Sequence, residues 1–530
     1  MNWRSCYSTI AILLTAIVGW AFFQFWYPYH FFYQEQNQIF LWSWDYVEGY
    51  FERPGGLARL VGDFLTQFYY YLFAGAAILA ACLLAVGGLV YRIIRNIWNI
   101  QNIRDIQKDR DIQNARDIRA SRATATAGAI AAMGFVAACH FSVSYRLSST
   151  IAIIGWLAMI AMITGTVLLI RCPGGRIRRT VPVIILACLL LPTAWLLFGK
   201  PDIKTLKGPD MILEKNFAVD NEYYFGNYDR VVDIVRSSDG WNNQMLFFYN
   251  LVMAQRGELA DHLLDFTPNY LGTFEKIGPE TPRLTIINQN ELYWLLGDMT
   301  FTERAAMMTN VFAPDNRNVR MMRRLAECNL VSGDSLAAEK YLRILDKTLV
   351  YRPWAQRLRQ HGREIYAQKM RLVNRRDTIT ITDNAHFLMM QLLDAHPDNQ
   401  PALDYILCST LLLKDIENFK RDYDRYCLGD SPGSPVNGGS SAVPAPPGTD
   451  SPGPDRDVLL HRIHTTKLYQ EALCIWLAGS QAPQEEWQRY IHREDVMQQF
   501  VEYNRERGNP RFRGTYWYYF DTFKGKVISE

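Results

Sequence analysis

Charge interrupts the first 200 residues only at intervals, and that spacing constrains the fold more than any other feature. Four apolar runs, Tyr7–Tyr27, Phe68–Tyr91, Thr150–Ile170 and Val181–Phe198, each approach the ~20 residues a helix needs to cross a hydrocarbon layer. A weaker fifth run, Ala125–Val143, is Ala-rich and ends around His140. A backbone in lipid must satisfy its own hydrogen bonds, so these runs read as helices.

The charged intervals set the expected topology. Arg92–Arg122 carries eight Arg or Lys and Arg171–Thr180 carries four Arg. Short basic connectors stay on the cytoplasmic side. Both stay there only if Ala125–Val143 crosses. Five spans are therefore expected, near 7–27, 68–91, 125–143, 150–170 and 181–198, with an outward loop 28–67 and cytoplasmic loops 92–122 and 171–180. The N-terminus lies inside and everything after Lys200 outside. The first run is too long for a cleaved leader, and "WAFFQFWYPY" has no small-residue cleavage pattern. The Ile-rich segment following Tyr91 reads as a helical extension of the second span, or as a site for a cytoplasmic partner.

The chain has 530 residues and a net charge of +3, too little excess charge for nucleic-acid binding. Its nine cysteines form no CxxC pair and read as small buried residues. A disulfide among Cys328, Cys408, Cys427 and Cys474 stays open in an oxidising compartment.

After residue 200 the pattern is helical and polar. "RLAECNLVSGDSLAAEKYLRILDKTLVYRPWA" matches a tetratricopeptide-like pair, with Leu325 and Ala326 in the first helix and Gly333 at the turn. Ala338, Leu342 and Leu345 face inward in the second, with Pro353 beyond it. A weaker copy, "FFYNLVMAQRGELADHLLDF", turns at Gly257 and follows a helix in "YYFGNYDRVVDIV". A third runs through residues 387–419, split at Pro397 and turning at Lys414–Asp415. Such pairs stack into an α-solenoid. Residues 429–456 form a Pro/Gly/Ser linker expected to be disordered. Residues 457–530 are helical and aromatic, closing the same solenoid, contacting a membrane surface or stacking on glycans.

The outward loop concentrates the candidate chemistry. Two short helices are expected, Tyr33–Phe51 and Gly56–Phe68, joined by a turn at "ERPGG". Leu57, Leu60, Val61, Phe64, Leu65 and Phe68 form an apolar stripe suited to a helix lying in the membrane interface. Glu35, Gln36, Gln38, Asp45, Arg53, Asp63 and Gln67 gather polar groups near the outer face. They either cap helices and dock the loop, or form a site. In the second case Asp45 or Asp63 is a base and Arg53 a phosphate clamp, similar to membrane glycosyltransferases that use lipid-linked sugars. Walker, GxSxG and HExxH patterns are absent, and His461 and His464 have no third metal ligand nearby in sequence.

"YPYHFFYQEQNQIFLWSWDY", "RPGGLARLVGDFLTQFYYY", "NEYYFGNYDRVVDIV" and "TYWYYF" together resemble a bacterial integral-membrane family catalogued as a domain of unknown function. The resemblance spans most of the chain and implies a topology without an established chemistry.

The combined expectation is an all-α protein with about five transmembrane helices over 1–200 and tetratricopeptide-like repeats over 201–428. It sits in the cytoplasmic membrane with its C-terminal region in the periplasm. It acts as a scaffold in cell-envelope assembly and not as an enzyme, with Glu35, Gln36, Gln38, Arg53 and Gln67 as a binding loop. Membrane lipid and a protein or envelope polymer are its expected partners, without nucleic acid, cofactor or metal. A transferase using Asp45, Asp63 and Arg53 is the alternative.

Overall fold

The computed structural model describes residues 3–105, 113–170, 180–203, 206–273, 280–313, 317–373, 379–380, 382, 384–428 and 456–524. All regular structure among them is helical, with no strand. The chain divides into two compact units. One comprises Met1–Asn221, Asn310–Arg323 and Glu339–Gln360; the other Glu222–Thr309, Arg324–Ala338 and His361–Glu530. Almost all of the expected linker, 429–455, lies outside the described residues, as do 106–112 and 171–179 of the two basic connectors.

In the first unit, α1 (Trp3–Phe25), α5 (Leu72–Asp105), α6 (Gln113–Cys139) and α7 (Leu147–Ile170) form the apolar bundle. Helix α5 packs against the other three. Phe23, Phe31, Tyr69, Leu79, Leu83, Met133 and Leu147 belong to one buried cluster. Among the described residues four helices are long and apolar enough to cross a membrane: Tyr7–Phe25, Leu72–Gln101, Arg119–Cys139 and Leu147–Leu169. The weak Ala-rich run is thus among them, and α5 carries helix well past Tyr91, as an extension of the second run requires.

Among the described residues the count is four and not the expected five: α8 (Thr180–Phe198) contains Pro192, and its described stretch Ala187–Phe198 is a shorter apolar helix. Trp156 Nε1 donates to the Gly199 carbonyl at 2.8 Å, so α8 ends beside Trp156. That level lies about 13 Å along α7 from Leu147, at ~1.5 Å per residue. The chain then climbs in extended form until the Asp202 N–H meets Ser149 Oγ at 3.2 Å.

Loop 28–67 packs beside that end of α8, its helix α4 (Gly56–Thr66) lying against α7 and α8. It contains α2 (Tyr29–Gln36), α3 (Trp44–Glu48), a 3-10 turn Gly49–Glu52, α4 (Gly56–Thr66) and a second 3-10 turn Gln67–Tyr70. The Gly55 N–H donates to the Leu196 carbonyl at 2.9 Å, in a left-handed conformation (φ 87°) that a glycine adopts without strain. Helix α4 then runs along α7 until Gly62 reaches Ser148. A Cβ at Gly62 would lie 2.5 Å from Ser148 Cα. The seated face of α4 is therefore Gly56, Ala58, Gly62 and Thr66, while the predicted apolar stripe Leu57–Phe68 is only half-buried. Small residues win because they let two backbones approach closely where lipid offers no hydrophobic drive.

The predicted helix Tyr33–Phe51 also breaks, over residues 37–43. Asn37 folds back so that its Nδ2 donates to the Tyr33 carbonyl at 2.7 Å, closing the last turn of α2.

The remaining helices follow in order: α9 (Met211–Tyr224), α10 (Tyr228–Arg236), α11 (Asn243–Arg256), α12 (Arg283–Leu296), α13 (Met299–Phe312), α14 (Val319–Ser332), α15 (Ser335–Asp346), α16 (Arg352–Ile365), α17 (Ala367–Arg371), α18 (Ala385–Ala395), α19 (Gln400–Leu412) and α20 (Ile416–Tyr423). Beyond the linker lie α21 (Arg456–Thr465), α22 (Lys467–Gly479), α23 (Gln484–Tyr490), α24 (Glu494–Arg505) and α25 (Tyr516–Thr522).

The helix–turn–helix around Gly333 forms as α14 and α15, with Leu325, Ala326, Ala338, Leu342 and Leu345 all buried. Pro353 lies beyond the end of α15, as expected, and in the first turn of α16. The α18–α19 pair forms too, and Lys414 makes the next turn. The copy at Gly257 does not: α11 ends there, and residues 259–267 are turns and bends. Cys328, Cys408, Cys427 and Cys474 are free and buried. In the second unit, Tyr516, Trp517 and Tyr519 are buried, and the hydroxyls of Tyr516 and Tyr519 donate to the Leu411 and Leu412 carbonyls at 2.9 and 2.8 Å. The aromatic C-terminus is thus core that closes the end of α19.

Candidate functional site

The four residues Glu35–Gln38, at the C-terminal end of α2, anchor the densest polar network of the first unit. Helix α2 is fixed at its start by a distant residue: Glu214 of α9 accepts from the backbone N–H groups of Tyr29 and His30. This places a carboxylate where the helix dipole favours negative charge. Burial nonetheless pushes the Glu214 carboxyl up to about 8, the two backbone hydrogen bonds opposing the shift. His30, beside it, is fully buried among Phe23, Tyr27 and Phe31, and burial holds its ring well below the usual range.

Each side chain of the tetrad holds a different segment. Glu35 Oε2 accepts from the Tyr351 hydroxyl at 3.0 Å. Gln36 Oε1 accepts from Arg320 Nη1 at 3.2 Å, and the same Nη1 reaches both Asp220 oxygens at 2.8 and 2.9 Å. Asn37 Oδ1 accepts from Asn318 Nδ2 at 3.2 Å. Gln38 Nε2 donates to the Asp63 carbonyl at 3.1 Å. The loop beyond is pinned likewise, with the Trp42 N–H on the Lys347 carbonyl at 2.7 Å. Arg317 lies over the Tyr46 ring at 4.8 Å.

The catalytic candidates are not gathered. Asp63 Oδ2 accepts from the Tyr50 hydroxyl at 2.7 Å, and Tyr50 contacts the Tyr46 hydroxyl at 2.9 Å. Asp45 stands exposed in the first turn of α3, and the Arg53 side chain is exposed. Gln67 is buried, its Nε2 on the Phe64 carbonyl at 2.7 Å and its Oε1 without a partner.

In the second unit, Arg324 lies between Glu291 (2.6 Å) and Glu327 (3.1 Å), over the Trp294 ring at 4.4 Å. Lys369 Nζ donates to the Trp294 and Leu295 carbonyls at the end of α12, and burial lowers its pKa to about 7. His461 is exposed, whereas His464 Nδ1 meets the Tyr423 hydroxyl at 2.9 Å. Among the described residues no group of three His, Cys, Asp or Glu side chains is placed to hold a metal ion.

Tyr351, Arg320, Asn318 and Asp220 were not singled out from the sequence, because their partners lie between 100 and 316 positions away. The one local signal is Arg320 itself, an arginine next to the buried Val319 and Met321 of α14, which calls for a carboxylate.

A family model of unknown function, DUF6057, matches residues 3–203, 176–437 and 457–523, most of the chain. The chain belongs to DUF6057. No curated protein and no solved structure matches it. In this DUF6057 chain Glu35, Gln36 and Asn37 thus bond loop 28–67 to segments 310–323 and 339–360.

Proposed function

We propose that this DUF6057 protein is a membrane-anchored helical scaffold of a bacterial cell envelope. Its C-terminal region, a tetratricopeptide-like solenoid, binds a protein or envelope polymer in the periplasm. One observation carries the reading. The polar side chains of the outward loop bond to the chain's own segments, with Asp63 on the Tyr50 hydroxyl, while Asp45 and Arg53 are exposed. A loop so committed is a docking element. The well-formed pairs α14–α15 and α18–α19 support a stacked binding surface.

Charge and the place where α8 ends support that compartment. Arginine-dense connectors resist translocation. The chain after Gly199 leaves the bundle beside Gly55, at the end that bears loop 28–67. Everything past residue 200 therefore shares that loop's side, opposite the basic connectors.

The test pairs photo-crosslinkers on exposed positions of the C-terminal region with Asp45→Asn and Asp63→Asn, all in native membranes. A scaffold gives adducts to one defined envelope component and keeps its phenotype in both aspartate variants. An undecorated protein that copurifies with an isoprenoid phosphate lipid and loses its phenotype in Asp63→Asn establishes the transferase instead. A reporter fused after Glu530 that is active only in the cytosol overturns the compartment.

A further inference from the structure

The end of the bundle opposite loop 28–67 gathers arginines where its helices carry no carboxylate. Two side-chain contacts mark that level. Asn96 Nδ2 of α5 donates to Thr164 Oγ1 of α7 at 3.2 Å, and Thr126 Oγ1 of α6 donates to Ser8 Oγ of α1 at 2.9 Å. Helix α7 ends six residues past Thr164 and α1 begins five residues before Ser8. At ~1.5 Å per residue the level lies within ~10 Å of where these helices stop. A Cβ at Gly87 would meet Met133, and one at Gly128 would meet Ile94, so α6 runs antiparallel to α5. Extended along the pair, that register sets Trp98 within a turn of Arg122.

Four arginines surround this level: Arg92 and Arg95 on α5, Arg119 and Arg122 on α6. Arg92 and Arg119 are exposed, Arg95 and Arg122 half-buried. The sequence has no carboxylate between Asp63 and Asp105 or between Asp117 and Asp202, and α1 has none. The apolar parts of the four helices therefore supply no countercharge. Donors here also lack acceptors. Arg95 Nε and Trp98 Nε1 are buried without a hydrogen-bond partner. Each is a single N–H that only donates, so an acceptor completes it. Water accepts but neutralises no charge. A phosphate oxygen does both, and its hydrogen bonds to arginine are among the strong ones.

Position identifies the source. Where membrane-crossing helices end, headgroup phosphates lie beside them. Ile97, between Arg95 and Trp98 in sequence, is 41% exposed and gives an acyl chain an apolar neighbour. A zwitterionic headgroup brings its own cation, whereas an anionic one leaves the phosphate charge to arginine. We propose that the α5–α6 seam holds the phosphate of an anionic phospholipid, of phosphatidylglycerol type, at Arg95, Trp98 and Arg122. The proposal rests on the membrane anchoring of the bundle and not on the scaffold role.

The test compares the full chain in phosphatidylcholine nanodiscs with and without phosphatidylglycerol, reading retained lipid by native mass spectrometry. The wild type should keep phosphatidylglycerol in preference to phosphatidylcholine and unfold several degrees higher when it is present. Arg95→Gln and Arg122→Gln should each cut that preference about fivefold. Lys207→Gln, an equal loss of charge at an exposed position elsewhere, should leave it unchanged. Arg119→Gln, also exposed, makes the same comparison if Arg95→Gln accumulates poorly. Equal retention of the two lipids by the wild type overturns the proposal. So does a preference that survives Arg95→Gln/Arg122→Gln, which reports diffuse surface charge. Inorganic phosphate that protects the chain in phosphatidylcholine as well as phosphatidylglycerol does assigns the seam to a free anion and overturns the lipid. A chain that stays out of the discs overturns the membrane anchoring itself.

Discussion

Asp220→Asn isolates the electrostatics that hold the tetrad in place. The Arg320 and Asp220 side chains are 2% and 3% exposed, so solvent barely screens them. The substitution leaves an oxygen near Arg320 Nη1 but removes the countercharge, and Gln36 supplies only a neutral acceptor at 3.2 Å. Breaking a buried pair from one side costs about 3–5 kcal/mol, because an uncompensated charge stays in the interior. For a unit of a few hundred residues each kcal/mol moves the midpoint by about 2–4 °C, so a drop of roughly 6–20 °C is expected. The assay is tryptophan fluorescence on heating the full chain in nanodiscs, compared with Asp220→Leu/Arg320→Met. That double variant removes both charges and should recover most of the loss. A midpoint shift under about 2 °C for Asp220→Asn would refute the reasoning, as would a double variant no better than the single one.

Gly62→Ala should destabilise by about 1–3 kcal/mol, since its Cβ meets the Ser148 backbone, whereas Gly88→Ala, with open space around it, should be neutral or better in the same melt. Glu214 gives a pH signature: its carboxyl is raised from 4.5 to about 8 in the fold, so the stability of its neutral form is complete below about 4.5 and is lost as pH rises through about 8. Glu214→Gln should flatten the decline between pH 5 and 8; an unchanged slope would count against it. Tyr351→Phe should cost about 1 kcal/mol by deleting a single hydrogen bond to Glu35, read as a midpoint shift. Asp45→Asn and Arg53→Ala, both at exposed positions, should stay within about 0.5 kcal/mol of the parent.

Local patterns were legible where local physics decides them. The long apolar runs, the helix pair turning at Gly333 and the glycine turn before α4 need only a few consecutive residues to be understood. Helix α4 shows the limit: its large apolar residues suggested the packing face, yet Gly62 and Ala58 seat it, because contact with α7 is set by backbone approach. Helix α8 read as a full crossing because its composition is apolar throughout, and no local pattern shows that Gly55 of the loop meets its end at Leu196. The tetrad was flagged as polar and near the membrane, but its roles depended on Arg320, Asn318 and Tyr351, which no periodicity links to residues 35–38. The same distance-blindness applies to the transferase candidates: Asp63 is held by Tyr50, and Asp45 and Arg53 are exposed, none of which a local pattern reveals.

Gln36 and Arg320 are separated by 284 positions. Ribosomes add about 5–20 residues per second, so roughly 15–60 s pass between the emergence of the two partners. During that interval the apolar helices are made while Glu35, Gln36 and Asn37 still lack Tyr351, Arg320 and Asn318. Maturation is therefore a two-step event, insertion first and latching afterwards, and a nascent chain stalled before Asn318 should display the outward loop open to added protease.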